Sequence, residues 1–107
     1  MIAAKHCNTL EELRAEIDRL DAILVPIFLE RVQYIYQSGG RIKSERSQVP
    51  ALDRVARQIV RLRQLATDHG GDPDFIEHLY RAIIHEFTEE EHRVFDRRMA
   101  GGTQPGA

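Results

Sequence analysis

Between residues 10 and 38 the chain reads LEELRAEIDRLDAILVPIFLERVQYIYQS. Its apolar positions Leu10, Leu13, Ile17, Leu20, Leu24, Ile27 and Tyr34 recur at spacings built from three and four. That period predicts a helix packing along one stripe. Arg31 occupies the stripe position after Ile27. A guanidinium cannot shed its charge, so on a buried stripe it needs an anionic partner or costs roughly several kcal/mol. Arg14 borders the same stripe, one residue past Leu13. At ~1.5 Å per residue the two arginines stand ~25 Å apart along one helix, too far for one small anion to touch both. Two antiparallel copies of the helix would bring Arg31 of one opposite Arg14 of the other.

The remaining pattern predicts two more helices. Thr9, with Glu12 three positions on, has the form of a capping box at the start of the first helix. Pro26 lies within the periodic stretch and predicts a kink near residues 22 to 26, with the apolar phase kept beyond it. Gly39-Gly40 ends that helix. RIKSERSQVP follows, with Arg41, Lys43 and Arg46 and little apolar period, and reads as a mobile lid. Pro50 opens the second helix, whose stripe is Leu52, Val55, Ile59, Leu62 and Ala66, closed by His69-Gly70-Gly71. Asp72-Pro73 starts the third, carrying Ile76, Leu79, Tyr80, Ile83, Ile84, Phe87, Val94 and Phe95. From about Ala100 the sequence AGGTQPGA predicts a disordered tail. With no strand-like run and no repeat, the fold class is all-α, three unequal helices in a single domain over residues 1–107.

Length and charge sharpen this. A helix of that span is ~43 Å long, wider than a compact chain of 107 residues, so it needs a partner along its length and a homodimer is expected. A net charge of −2 with no basic face argues against nucleic acid. Cys7 is the only cysteine, which excludes an intrachain disulfide and suits a reducing cytoplasm. Neither a signal-peptide core nor an 18-residue apolar run occurs, so no membrane association is expected.

Three constellations carry candidate chemistry. Arg14, Arg31, Lys43 and Arg54 are cations spread over two helices and a loop. Singly they read as surface salt bridges; converging on one pocket they would suit a small dicarboxylate. Glu91 falls seven after Ile84 and four after Phe87, on the apolar stripe of the third helix. It is either a helix-end residue drifting to the surface beside Glu89 and Glu90, or a desolvated carboxyl able to donate a hydrogen bond when protonated. His78, His85 and His92 recur every seven residues, and Glu89-x-x-His92 is half of a di-iron bundle motif. Without a second such element it favours solvated or interfacial histidines over metal, and no metal is expected.

In this order the features resemble a known family. LRAEIDRLD and then LERV on the first helix, RIK in the lid, DRV opening the second helix and IIHEFTEEE on the third are similar to the all-helical chorismate mutases, over roughly residues 10 to 98. The resemblance implies an intertwined dimer of three-helix chains and an enzyme that needs no cofactor. It implies that Arg31, Lys43 and Arg54 of one chain, with Arg14 of the other, hold the two carboxylates of chorismate or a near relative. Val55 and Phe87 would also lie at the substrate. Lys43 would face the ether oxygen of the breaking C–O bond, and Glu91 aligns with the family's second donor to that oxygen, commonly Gln and in some members Glu. Catalysis then comes from holding a reactive conformer and stabilising charge on the departing oxygen.

Prephenate-forming members usually carry a glutamate after the arginine of the second helix, where it binds the C4 hydroxyl. Here that residue is Val55. The run QVPALDRVA and the IIH of the third helix are closer to the isochorismate pyruvate-lyase branch, which makes salicylate and pyruvate, although that branch typically has Gln where this chain has Glu91. The lyase is the leading expectation, chorismate mutase the alternative, and a non-catalytic helical module binding an acidic partner a third reading.

Overall fold

In the computed structural model, which describes residues 3–101, every regular element is helical. Helix α1 runs Leu10–Gln37, unbroken through Pro26. Thr9 caps it as expected, its Oγ1 accepting from the Glu12 amide at 3.1 Å. The Glu12 carboxylate, however, takes the Asn8 amide at 3.0 Å instead of the Thr9 amide, so the box closes one residue early. Helix α2 is Leu52–Asp68 and α3 is Pro73–Met99. Gly70, at φ 75°, reverses the chain after α2, and Asp72 caps α3 by accepting from the Asp74 amide, with Pro73 in the first turn. The tail beyond Gly101 lies outside the described residues.

Helices α2 and α3 form an antiparallel pair. The buried residues of α2 are Ile59, Leu62 and Ala66, and those of α3 are Glu91, Val94 and Phe95. Near their connection, Arg63 of α2 holds both Asp74 and Glu77 of α3, each at 2.9 Å. Leu52, expected on the buried stripe, is 73% exposed: it occupies the first position of α2, at the rim and beyond the packed face.

Helix α1 meets α3 only through its second half. Phe28 packs on Phe87 at 6.3 Å between ring centroids, and the Tyr36 hydroxyl donates to Glu90 at 3.1 Å. No residue of α1 is buried. Leu10, Leu13, Ile17, Leu20, Leu24 and Ile27 are all 43–65% exposed, so the apolar stripe exists but its own chain does not cover it. The outline matches: 55 × 28 × 16 Å with a radius of gyration of 17.2 Å, against about 13 Å for a compact chain of 100 residues. None of the helices is long and apolar enough to cross a membrane, among the described residues.

The lid is more ordered than a loop. After Gln37 the chain makes a π-helical turn, Ser38–Ile42, which carries the helical path past Gly39-Gly40, both buried. A short 3-10 turn follows at Arg46–Gln48, closed by reciprocal Glu45 and Gln48 hydrogen bonds. Pro50 does not open α2, contrary to expectation; Ala51 is the cap and Leu52 the first helical residue. The reason lies one residue earlier. Val49 is buried at 4% exposure and its carbonyl accepts from His92 Nε2 at 2.6 Å, so the chain is tied to α3 before it can turn into α2.

Candidate active site

The lid, the end of α1 and the facing sides of α2 and α3 enclose a cavity of about 290 Å³. That is the low end of the range for small-molecule pockets. Arg31, Ile35 and Ser38 line it from α1 and its continuation, and Lys43, Pro50 and Ala51 from the lid. Arg54, Val55 and Gln58 contribute from α2, and Ile84, Phe87, Thr88 and Glu91 from α3. Of the seven sequence-predicted site residues, six therefore share one cavity. The seventh, Arg14, is exposed near the start of α1, remote from it within the chain.

Arg31 is on the stripe position that faces α3. Its guanidinium lies over the Phe87 ring at 4.2 Å from the centroid, and its buried Nη1 makes no hydrogen bond among the described residues. Burial pulls the guanidinium below its usual value; Tyr80 raises it and the nearby Arg54 lowers it again. An aromatic face offsets part of the desolvation of a cation but offers no lone pair. The unused donor is a place for an anionic oxygen.

Glu91 is the buried acid of the site, 6% exposed. Of its two sequence readings, the helix-end residue drifting to the surface is excluded. The segment that buries it is the π-turn: a Cβ on Gly39 would stand 2.5 Å from Glu91 Cγ, so only glycine lets the backbone lie on that side chain. Lys43 completes the enclosure, its Nζ 3.0 Å from Glu91 Oε2. This is an ion contact without hydrogen-bond alignment, and Oε2 is left without a hydrogen bond among the described residues. The two groups thus leave hydrogen-bonding capacity unused at the cavity wall.

His92 is committed to the lid through Val49, with Glu89 at 3.9 Å, and no group of three metal-ligating side chains occurs among the described residues. The sequence reading missed Gln58 and Thr88. Gln58 follows Arg54 by one helical turn and Thr88 precedes Glu91 by one, so helical period places each on the cavity face once its neighbour is known.

A buried cation with a free donor, a second cation on α2 and a lysine–carboxyl pair around a small cavity suit a compact dicarboxylate. Comparison with known proteins agrees with that chemistry. The family pattern described as "Chorismate mutase type II" matches residues 13–92. The chain is 31% identical over 91 residues to "Isochorismate pyruvate lyase" of Pseudomonas aeruginosa, covering 85% of this chain and 89% of the relative. It is 36% identical over 94 residues to "4-amino-4-deoxychorismate mutase" of Streptomyces venezuelae, with 84% and 87% covered. A protein of the same name from Streptomyces pristinaespiralis is 32% identical over 100 residues, with 92% and 73% covered. A match this long sets aside the non-catalytic module: the chain belongs to the all-helical chorismate mutase family and is an enzyme of that family.

Proposed function

We propose that the enzyme is an isochorismate pyruvate-lyase, converting isochorismate to salicylate and pyruvate. The observation that carries this reading is Val55, which lines the cavity next to Arg54 where prephenate-forming members usually place a glutamate. An isopropyl group cannot hydrogen-bond a C4 hydroxyl. Isochorismate has its hydroxyl elsewhere on the ring and loses nothing there.

Arg31 and Arg54 bind the substrate carboxylates, the free Nη1 of Arg31 being one donor for them. Arg14 of a second copy supplies the remaining clamp. The uncovered apolar stripe of α1 supports this homodimer, since burying it removes several leucine and isoleucine side chains from water at about 25 cal/mol per Å². Phe87 and Val55 form the apolar wall. Bound this way the substrate is confined to a conformer in which the enolpyruvyl methylene lies over the ring. The ring–oxygen bond then breaks as a ring hydrogen passes to that methylene. The freed electron pairs complete the aromatic ring of salicylate, and the enolpyruvyl group leaves as pyruvate with the ether oxygen as its keto oxygen. Lys43 donates to that oxygen as charge gathers on it, and the Glu91 carboxyl is a second donor whenever it carries a proton.

A second reading is rearrangement of a chorismate-type substrate, chorismate or 4-amino-4-deoxychorismate, in which the methylene carbon bonds to the ring instead. Glu91 in place of the lyase branch's usual glutamine favours it, as do the names of two relatives. Purified protein supplied separately with isochorismate, chorismate and 4-amino-4-deoxychorismate distinguishes them. The lyase reading expects salicylate and pyruvate to form with the highest kcat/KM, and Val55→Glu to shift the ratio toward prephenate. A wild-type protein that strongly prefers either of the other substrates overturns it.

A further inference from the structure

We propose that Arg98 is a positioning residue for Lys43, an inference that rests on the reading of Lys43 as a donor to the ether oxygen. Lys43 follows the π-turn in extended backbone, and both its peptide groups are held. Its amide donates to the Ser38 carbonyl at 2.8 Å, and its carbonyl accepts from Nη2 of Arg98. Arg98 is in turn fixed by the core. Its guanidinium lies 5.1 Å from the ring centroid of Phe95, which is 3% exposed. Among the described residues Arg98 pairs with no carboxylate, so this cation is directed to a neutral carbonyl, that of the residue whose ammonium reaches Glu91.

The arrangement makes one helix the reference for both donors. Glu91 is carried by α3 directly, and Lys43 is registered against α3 through Arg98 two turns further on. His92 holds Val49 at the far end of the lid, and Asp96 accepts from Arg46 Nε at 3.1 Å on its exposed side. Of these three α3 side chains only Arg98 hydrogen-bonds Lys43, at its carbonyl. A lysine side chain is long and flexible, so freeing its backbone spreads Nζ over positions from which it does not reach the reacting oxygen. Misplacement of about 1 Å at a reacting centre can cost ~10²-fold.

The test uses the full-length protein with the substrate it turns over. Arg98→Met keeps an unbranched stem on Phe95 and removes the donor; Arg98→Lys restores one. The expected result is that Arg98→Met lowers kcat by about 10- to 100-fold with little change in KM, and that Arg98→Lys recovers much of the loss. Arg97→Met, one residue away, keeps wild-type turnover. In a Lys43→Ala background Arg98→Met should change kcat by less than about twofold, because no ammonium remains to be placed. Losses that multiply in the double variant, a loss confined to KM, or an Arg98→Met chain that does not fold would each overturn the inference by assigning Arg98 to another role. Full turnover by Lys43→Ala alone is a different failure: it removes the reading of Lys43, and this inference falls with it.

Discussion

The side chain that Gly39 lacks would occupy the space of Glu91, its Cβ falling 2.5 Å from Glu91 Cγ and 3.0 Å from the Glu91 carbonyl oxygen. The lid turn and α3 therefore touch without a spacer. Gly39→Ala must push Glu91 or the π-turn aside. Overpacking of this kind costs about 1–3 kcal/mol. Thermal unfolding should register that loss, and kcat should fall by more than stability alone explains, because the displaced group lines the site. Unchanged Tm and kcat would mean that the turn yields freely.

Lys43 should affect turnover far more than binding. Removing one donor to a developing oxyanion lowers rates by about 10²–10³-fold in comparable sites, so Lys43→Ala should lose that much in kcat. A defect carried by KM would make it an ordinary carboxylate anchor.

For Glu91 the prediction compares a carboxyl with an amide. A glutamine amide donates a hydrogen bond without needing a bound proton, so Glu91→Gln should keep or raise kcat if this position serves as a donor to the ether oxygen. A Glu91→Gln variant that loses most of its turnover would show that the negative charge beside Lys43 is what the reaction uses.

The shared-site dimer is tested by complementation. Arg14→Ala and Arg31→Ala should each be inactive. Equal mixing and refolding should restore about a quarter of wild-type activity, since half of the dimers are mixed and each of these has one intact site. No recovery from confirmed mixed dimers would sink the arrangement.

Acid should loosen the contacts of α3. Arg93, and then Tyr36, hold Glu90 below its ordinary value of 4.5 against an opposing effect of burial, and Arg81 with Arg63 lowers Glu77. A carboxyl whose folded pKa is depressed stabilises the fold above its unfolded pKa and loses that contribution as pH falls through the folded one. The Tm difference between wild type and Glu77→Gln/Glu90→Gln should therefore be present at neutral pH and shrink as pH falls below 4.5. A difference independent of pH would assign both residues to packing.

Much of this was readable in the sequence because helical period is a strong signal. It located all three helices, marked Arg31 as a cation on an apolar stripe and set Glu91 on the inner face of α3. What it could not supply was register between elements. Whether Glu91 faced solvent or the cavity depended on Gly39 lying across it, a contact between residues far apart in sequence. Pro50 illustrates the opposite failure. Its local preference for a first helical turn was overridden by the burial of Val49 and the His92 hydrogen bond, which are tertiary effects. Gln58 and Thr88 carry ordinary polar side chains, and only the fold distinguishes them from surface residues.

Val49 also limits which part of the lid is free of the core. It is a core residue, and Gly39-Gly40 at the other end of the lid are buried as well, so both roots of this segment are anchored in the packed interior. The arm between them, Arg41 to Gln48, carries Lys43, whereas Glu91 belongs to α3. A displacement of that arm alone would therefore part Lys43 from Glu91, and its return would restore their contact.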